Sequence, residues 1–156
     1  MNPKDIIPDL SLFKHSTPLQ IRFNDIDILG HVNNTVYFSF YDTGKAHYFQ
    51  SVRKGTMDWR KVDTVIANVN CSFISPTLFG DDIEVLTRCL SVHDKSFRVE
   101  QAIRSRKTGE VKSVCETVMV SFDPVTAKAA PMPDHWRLSL NEYEGRELAE
   151  PESSIH

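Results

Sequence analysis

Residues 20 to 49 read QIRFNDIDILGHVNNTVYFSFYDTGKAHYF, and the reading of the whole chain turns on them. Leu19, Ile21 and Phe23 alternate with Gln20, Arg22 and Asn24, the period of a half-buried strand, which predicts a strand over 18–24. Asp25 and Asp27 follow two residues apart, and Gly30 supplies a position that tolerates positive φ where the chain must turn. Beyond the turn stand His31, Asn33 and Asn34. Asn is a preferred helix N-cap, and Val36, Tyr37, Phe40, Tyr41, Tyr48 and Val52 recur at spacings of three, four and seven, which predicts a helix over 35–54 capped by the two asparagines.

The physics of this arrangement points to one kind of chemistry. A helix N-terminus presents unpaired N–H groups and about half a positive charge, so it attracts an oxygen that is gaining negative charge. A carboxylate held across the preceding turn can face the carbon bonded to that oxygen. The pair suits acyl transfer: N–H groups polarise a carbonyl while the carboxylate attacks it or deprotonates a water. Asp27 is the candidate carboxylate, and the N–H of Asn34 is the candidate oxyanion donor. Asp25 reads as a turn acid.

The run Arg22-Phe23-Asn24-Asp25-Ile26-Asp27-Ile28-Leu29-Gly30-His31-Val32-Asn33-Asn34-Thr35-Val36-Tyr37 resembles the signature of hotdog-fold acyl-CoA thioesterases of the 4-hydroxybenzoyl-CoA type. The order of later elements, including Lys95-Ser96-Phe97 on a late strand, extends the resemblance from about Ser16 to Asp123. It implies that the second acid, Asp27, is catalytic and that the backbone N–H at Asn34 polarises the thioester. Related acyl-carrier-protein thioesterases place an Asn two residues after this Asp and a His four after. Here those places hold Leu29 and His31, so His31 is kept as a helper. The resemblance also assigns Lys95 and Ser96 to the CoA phosphates, whereas Arg104 to Lys107 reads as a solvated turn.

The rest of the chain supplies strands. Residues 64–75, 82–92, 96–104 and 111–122 alternate, with Pro76, Gly80 and the Thr108-Gly109 pair marking breaks. Residues 1–17 read as an irregular lead-in, 56–61 as a polar connector after a helix stop at Gly55, and 134–140 as a short helix capped by Asp134. From Asn141 onward the chain is acidic and aperiodic, and a frayed tail is expected. Gly44 inside the long helix costs roughly 1 kcal/mol of propensity, which close approach of helix and sheet would explain. One strand, one helix and four strands make an α+β fold. The resemblance supplies the topology, a hotdog fold whose five-stranded antiparallel sheet wraps one long helix. The expected layout is a single domain over 1–156, with its core at 18–123 and a C-terminal extension at 124–156.

Composition narrows the partners. The chain has 156 residues, of which 40% are hydrophobic and 25% charged, a formal net charge of -3 and a pI near 6.0. This is an ordinary globular balance with no long-range attraction to nucleic acid or anionic membrane. No apolar run is long enough to span a bilayer and the first residues carry no cleavage signal, so a cytoplasmic location is expected. Cys71, Cys89 and Cys115 lie in alternating runs and read as strand interiors rather than a disulfide framework or zinc site. The sequence therefore leads to a thioesterase acting on an acyl-CoA, or an acyl-carrier-protein thioester, with no metal and no redox cofactor. The alternatives are a hotdog hydratase or dehydratase and a non-catalytic acyl-CoA-binding module. A single sheet with one helix leaves an edge uncovered, so a homodimer or a dimer of dimers is expected, with the site at the subunit boundary.

Overall fold

The computed structural model describes residues 2–55 and 63–150. Its strands and helices run β1 (His15–Leu19), α1 (Asn34–Val52), β2 (Thr64–Phe73), β3 (Ile83–Val92), β4 (Ser96–Ser105), β5 (Val111–Asp123), β6 (Lys128–Ala129) and α2 (Asp134–Glu144). The sheet order is β1-β3-β4-β5-β2, and the two-residue β6 pairs with β5. This is the expected α+β hotdog arrangement of five main strands and one long helix. The connector expected at 56–61 lies outside the described residues.

The first strand sits earlier than the alternation predicts. His15 to Leu19 pair antiparallel with Thr87 to Ile83, and Pro18 is tolerated because β1 is an edge strand that can spare one N–H. Residues Phe23–Asp25 instead form a 3-10 turn. The Arg22 N–H donates to Asp25 Oδ2 at 2.8 Å and the Asp25 N–H to the Arg22 carbonyl at 2.9 Å, so the backbone curls where a strand would continue. Phe23, which alternation placed inward, is 83% exposed.

Two compact units emerge, one of Met1–Tyr48, Cys71–Thr87 and Gln101–Cys115, the other of Phe49–Asn70, Arg88–Glu100 and Glu116–His156. In the first, Tyr37, Phe40 and Tyr41 of α1 share a buried cluster with Val32, Ile83, Val85, Ile103 and Cys115. Gly44 is where helix and sheet meet most closely. A Cβ there would lie 2.8 Å from Val85 Cγ1 and 2.9 Å from Gln101 Nε2, closer than real Cβ contacts come. Gln101 is fully buried and donates from Nε2 to the Tyr41 carbonyl and to Thr87 Oγ1, both at 3.0 Å, so it has no room to retreat.

In the second unit Phe49, Phe97 and Trp136 stack edge to face with centroids 5.7 to 6.4 Å apart, and the Arg53 guanidinium lies 3.9 Å over the Trp136 ring. Gly55 has φ +80° and donates its N–H to the Gln50 carbonyl at 2.8 Å, closing α1 as the sequence indicates. Asp134 is the first residue of α2 rather than its cap; its charge acts on the positive helix end while Pro133 precedes it. The expected frayed tail is instead ordered through residue 150. Gly145 ends α2 with φ 73°, Glu144 accepts the Cys89 N–H, and Val92 exchanges backbone hydrogen bonds with Leu148 (2.8 Å) and Glu150 (3.0 Å). Leu148 is buried. One apolar anchor and backbone pairing leave no period for a sequence reading to detect.

Gly44→Ala tests the contact between α1 and the sheet. Overpacking against two buried side chains costs about 1 to 3 kcal/mol, against a helix-propensity gain of roughly 1 kcal/mol. The expected result is a net loss of up to about 2 kcal/mol, measured from urea-unfolding midpoints.

Candidate functional site

The chain reverses between Asp25 and Asn33 through a short ladder. The Asn33 N–H donates to the Asp25 carbonyl (2.9 Å), the Asp27 N–H to the His31 carbonyl (3.0 Å) and the Gly30 N–H to the Asp27 carbonyl (3.0 Å), while Ile26 and Val32 form an antiparallel bridge. Gly30 turns with φ +80°, the left-handed region its missing Cβ permits. The ladder sets Asp27 beside the start of α1.

The two acids meet opposite fates. Asp25 is buried, accepts the Arg22 N–H and lies 3.4 Å from the Arg22 guanidinium, so it holds the 3-10 turn together. Asp27 is half-buried and makes no ion pair among those the described residues form. Its Oδ1 accepts the Leu29 N–H and its Oδ2 the Asn33 side-chain amide, each at 2.9 Å. A carboxylate has about four acceptor positions, so two remain for a reactant.

Asn33 caps α1: its Oδ1 accepts the Thr35 N–H at 2.9 Å and the Thr35 hydroxyl at 2.6 Å. Asn34 is the first helical residue, and among the described residues no hydrogen bond engages its N–H. His31 and Asn34 line one cleft of about 290 Å³ together with Val32, Tyr37, Phe73 and the 74–76 segment. Asp27 does not line that cleft; the Asn33 amide ties it to the residue before α1.

The far wall of the cleft is pinned by buried polar groups. The Val32 N–H donates to the Thr77 carbonyl (2.8 Å), and the Tyr37 and Thr77 hydroxyls hydrogen-bond at 2.8 Å. Burial pushes the Tyr37 phenol above its ordinary value, so it stays a neutral hydroxyl. Lys112 Nζ donates to the Pro76 carbonyl (3.2 Å) and to Glu110 (2.6 Å), and lies 3.4 Å from Asp81, tying the 76–81 loop to β5.

The predicted CoA contacts belong to the second unit. Lys95 is exposed on the turn between β3 and β4, and Ser96 beside it is buried, its carbonyl accepting the His93 N–H at 2.7 Å. That unit also holds a larger cavity of about 610 Å³, lined by residues of α1's last turn and α2 and by none of the predicted residues. All three cysteines are free and lie on strands, as read from sequence. Cys71 differs from the others. A hydrogen bond from the Cys115 thiol is the main cause, aided by the Ser113 hydroxyl 3.5 Å away and by Tyr41, and together they outweigh burial and bring its thiol down to about 7. Burial, with Glu144 nearby, pushes Cys89 up to about 12. No sequence signal separated the two thiols, because the difference lies in which hydroxyls and thiols neighbouring strands bring alongside. The thiolate fraction of Cys71 thus rises as pH passes about 7. Alkylation of the folded protein by iodoacetamide, followed by peptide mass mapping, is expected to be half-maximal for Cys71 near that pH, with Cys89 unmodified.

A family model described as the thioesterase-like superfamily matches residues 21–140. The long-chain acyl-CoA thioesterase FadM of Escherichia coli is 22% identical over 129 residues, covering 81% of this chain and 96% of FadM. A thioesterase from Thermus thermophilus, solved in complex with coenzyme A and zinc, is 30% identical with a TM-score of 0.78, over 86% of this chain and 96% of that one. A 1,4-dihydroxy-2-naphthoyl-CoA thioesterase from Synechocystis shares the fold at 16% identity and a TM-score of 0.72, over 80% and 93% of the two chains.

Proposed function

The chain belongs to the thioesterase-like superfamily, and from that premise we propose that it hydrolyses an acyl-CoA thioester to the free acid and CoA. The observation that carries this reading is an Asp27 carboxylate, without an ion pair among the described residues, hydrogen-bonded to Asn33 at the opening of a 19-residue helix whose first residue, Asn34, lines a cleft. The thioester oxygen sits on the Asn34 N–H, where the helix dipole favours the charge that develops in the transition state. Asp27 then attacks the carbonyl carbon, giving an anhydride that water cleaves, or takes a proton from the attacking water; both routes break the C–S bond and release CoA as its thiolate. His31, on the same cleft wall, donates to the departing sulfur. A thiol of ordinary pKa, about 8.5, leaves readily without a proton, so this help is the smaller contribution. CoA is preferred as the carrier because FadM is an acyl-CoA enzyme and the Thermus thermophilus relative was solved with coenzyme A. Lys95, whose ammonium is exposed, stays a candidate contact for CoA phosphates, with Ser96 adjacent.

The same reading requires a second copy of the chain. β2 is an edge of the sheet, ten residues long with no charge and no proline, and Val65, Ile66, Val69 and Phe73 on it are exposed. An apolar edge of this length is an aggregation hazard unless it is paired. A two-fold axis that pairs β2 with its copy satisfies the edge and encloses the site from the partner's side. No helix among the described residues is long and apolar enough to cross a membrane.

A thiol-release assay over short, medium, long and aromatic acyl-CoAs tests the activity. Asp27→Asn is expected to lose at least about a hundredfold in turnover and His31→Ala no more than about tenfold. Wild-type turnover in Asp27→Asn would remove that carboxylate from the mechanism. The double variant Val65→Lys, Val69→Lys is expected to move the protein from dimer to monomer in size-exclusion chromatography with light scattering, with loss of turnover.

A further inference from the structure

Asn33 reads from sequence as a cap and nothing more. In the structure the two ends of its side-chain amide serve different partners. Oδ1 accepts from the Thr35 N–H and hydroxyl at 2.9 and 2.6 Å, and Nδ2 donates to Asp27 Oδ2 at 2.9 Å. The partners fix which end is which, since a backbone N–H only donates and a carboxylate only accepts. A flipped amide would set donor against donor at Thr35 and acceptor against acceptor at Asp27.

The Asn33 backbone is held as firmly as its side chain. Its N–H donates to the Asp25 carbonyl and its own carbonyl accepts the Val36 N–H, both at 2.9 Å. A planar amide on a fixed backbone thus joins the Asp27 carboxylate to the first turn of α1. We propose that Asn33 is the positioning residue of the site, setting the Asp27 carboxylate relative to the Asn34 N–H so that both act on one carbonyl. The inference rests on the thioesterase reading above and deepens it.

The energetic argument concerns orientation. With only the Leu29 N–H holding it, the Asp27 carboxylate can rotate about its Cβ–Cγ bond and lose the fixed angle of approach, and small misplacements at a reacting carbon are costly. Substrate binding does not use that angle. The effect therefore belongs in kcat and not in KM.

Asn33→Ser and Asn33→Asp separate this role from capping, because Ser and Asp both cap helices well while neither carries the amide N–H donor. With an acyl-CoA panel and Ellman's reagent, Asn33→Ser is expected to lose about ten- to a hundredfold in kcat, with KM within about twofold and an unchanged melting temperature. Asn33→Asp sets a second carboxylate against Asp27, so the acid limb of its pH–rate profile moves to higher pH. In an Asp27→Asn background, Asn33→Ser costs nothing further, since a residue that acts through another has no effect once the other is gone. Wild-type kcat and pH profile in Asn33→Ser, with Asp27→Asn still impaired, overturns the proposal and leaves Asn33 a cap alone. A full loss from Asn33→Ser persisting in the Asp27→Asn background overturns it as well. The thioesterase reading fails separately, through an Asp27→Asn protein that turns over like wild type.

Discussion

A carboxylate and a helix terminus can act on one carbonyl only if the chain between them reverses direction within a few residues and keeps both ends fixed. The segment 25–33 meets that constraint with three backbone hydrogen bonds, one left-handed glycine and one bridge. Its base is Asp25, whose buried side chain curls the preceding residues while its carbonyl holds Asn33. The division of labour between the acids follows from solvation. A buried carboxylate is tolerable when it accepts hydrogen bonds and faces a cation, and that commitment removes it from chemistry. The half-exposed one keeps acceptor positions for a reactant.

The helix that opens at this turn is placed just as tightly along its length. Gly44 lets the backbone of α1 approach β3 and β4 more closely than any side chain would allow, and Gln101 turns that approach into hydrogen bonds with the helix and with β3. A rigid scaffold beneath a turn gives sub-ångström placement to groups that loops alone would hold loosely. The Tyr37–Thr77 and Val32–Thr77 hydrogen bonds extend the same rigidity to the facing loop.

Much of this was legible in the residues. The periods matched α1 and β2 to β5 to within two residues, and the turn glycine, the Asn33 cap and the close approach at Gly44 followed from local chemistry, whereas Asn34 and Asp134 open their helices instead of capping them. Other features escaped for physical reasons. The first strand was set by side-chain capping at Asp25, which overrode the alternation that ran through Phe23. The tail was ordered by backbone pairing around Leu148, which leaves no periodic trace. The reach of Asn33 back to Asp27 spans six residues across a turn, and only the turn's geometry makes it possible.

The seat of residues 148 to 150 on Val92 also bears on synthesis. Val92 emerges from the ribosome more than fifty residues before the segment that pairs with it. Throughout that interval the backbone N–H and carbonyl of Val92 wait for their partners, so the end of β3 is closed only after α2 has been made. Chaperone protection during elongation, or slow decoding after α2, would bear directly on how much protein reaches its native state.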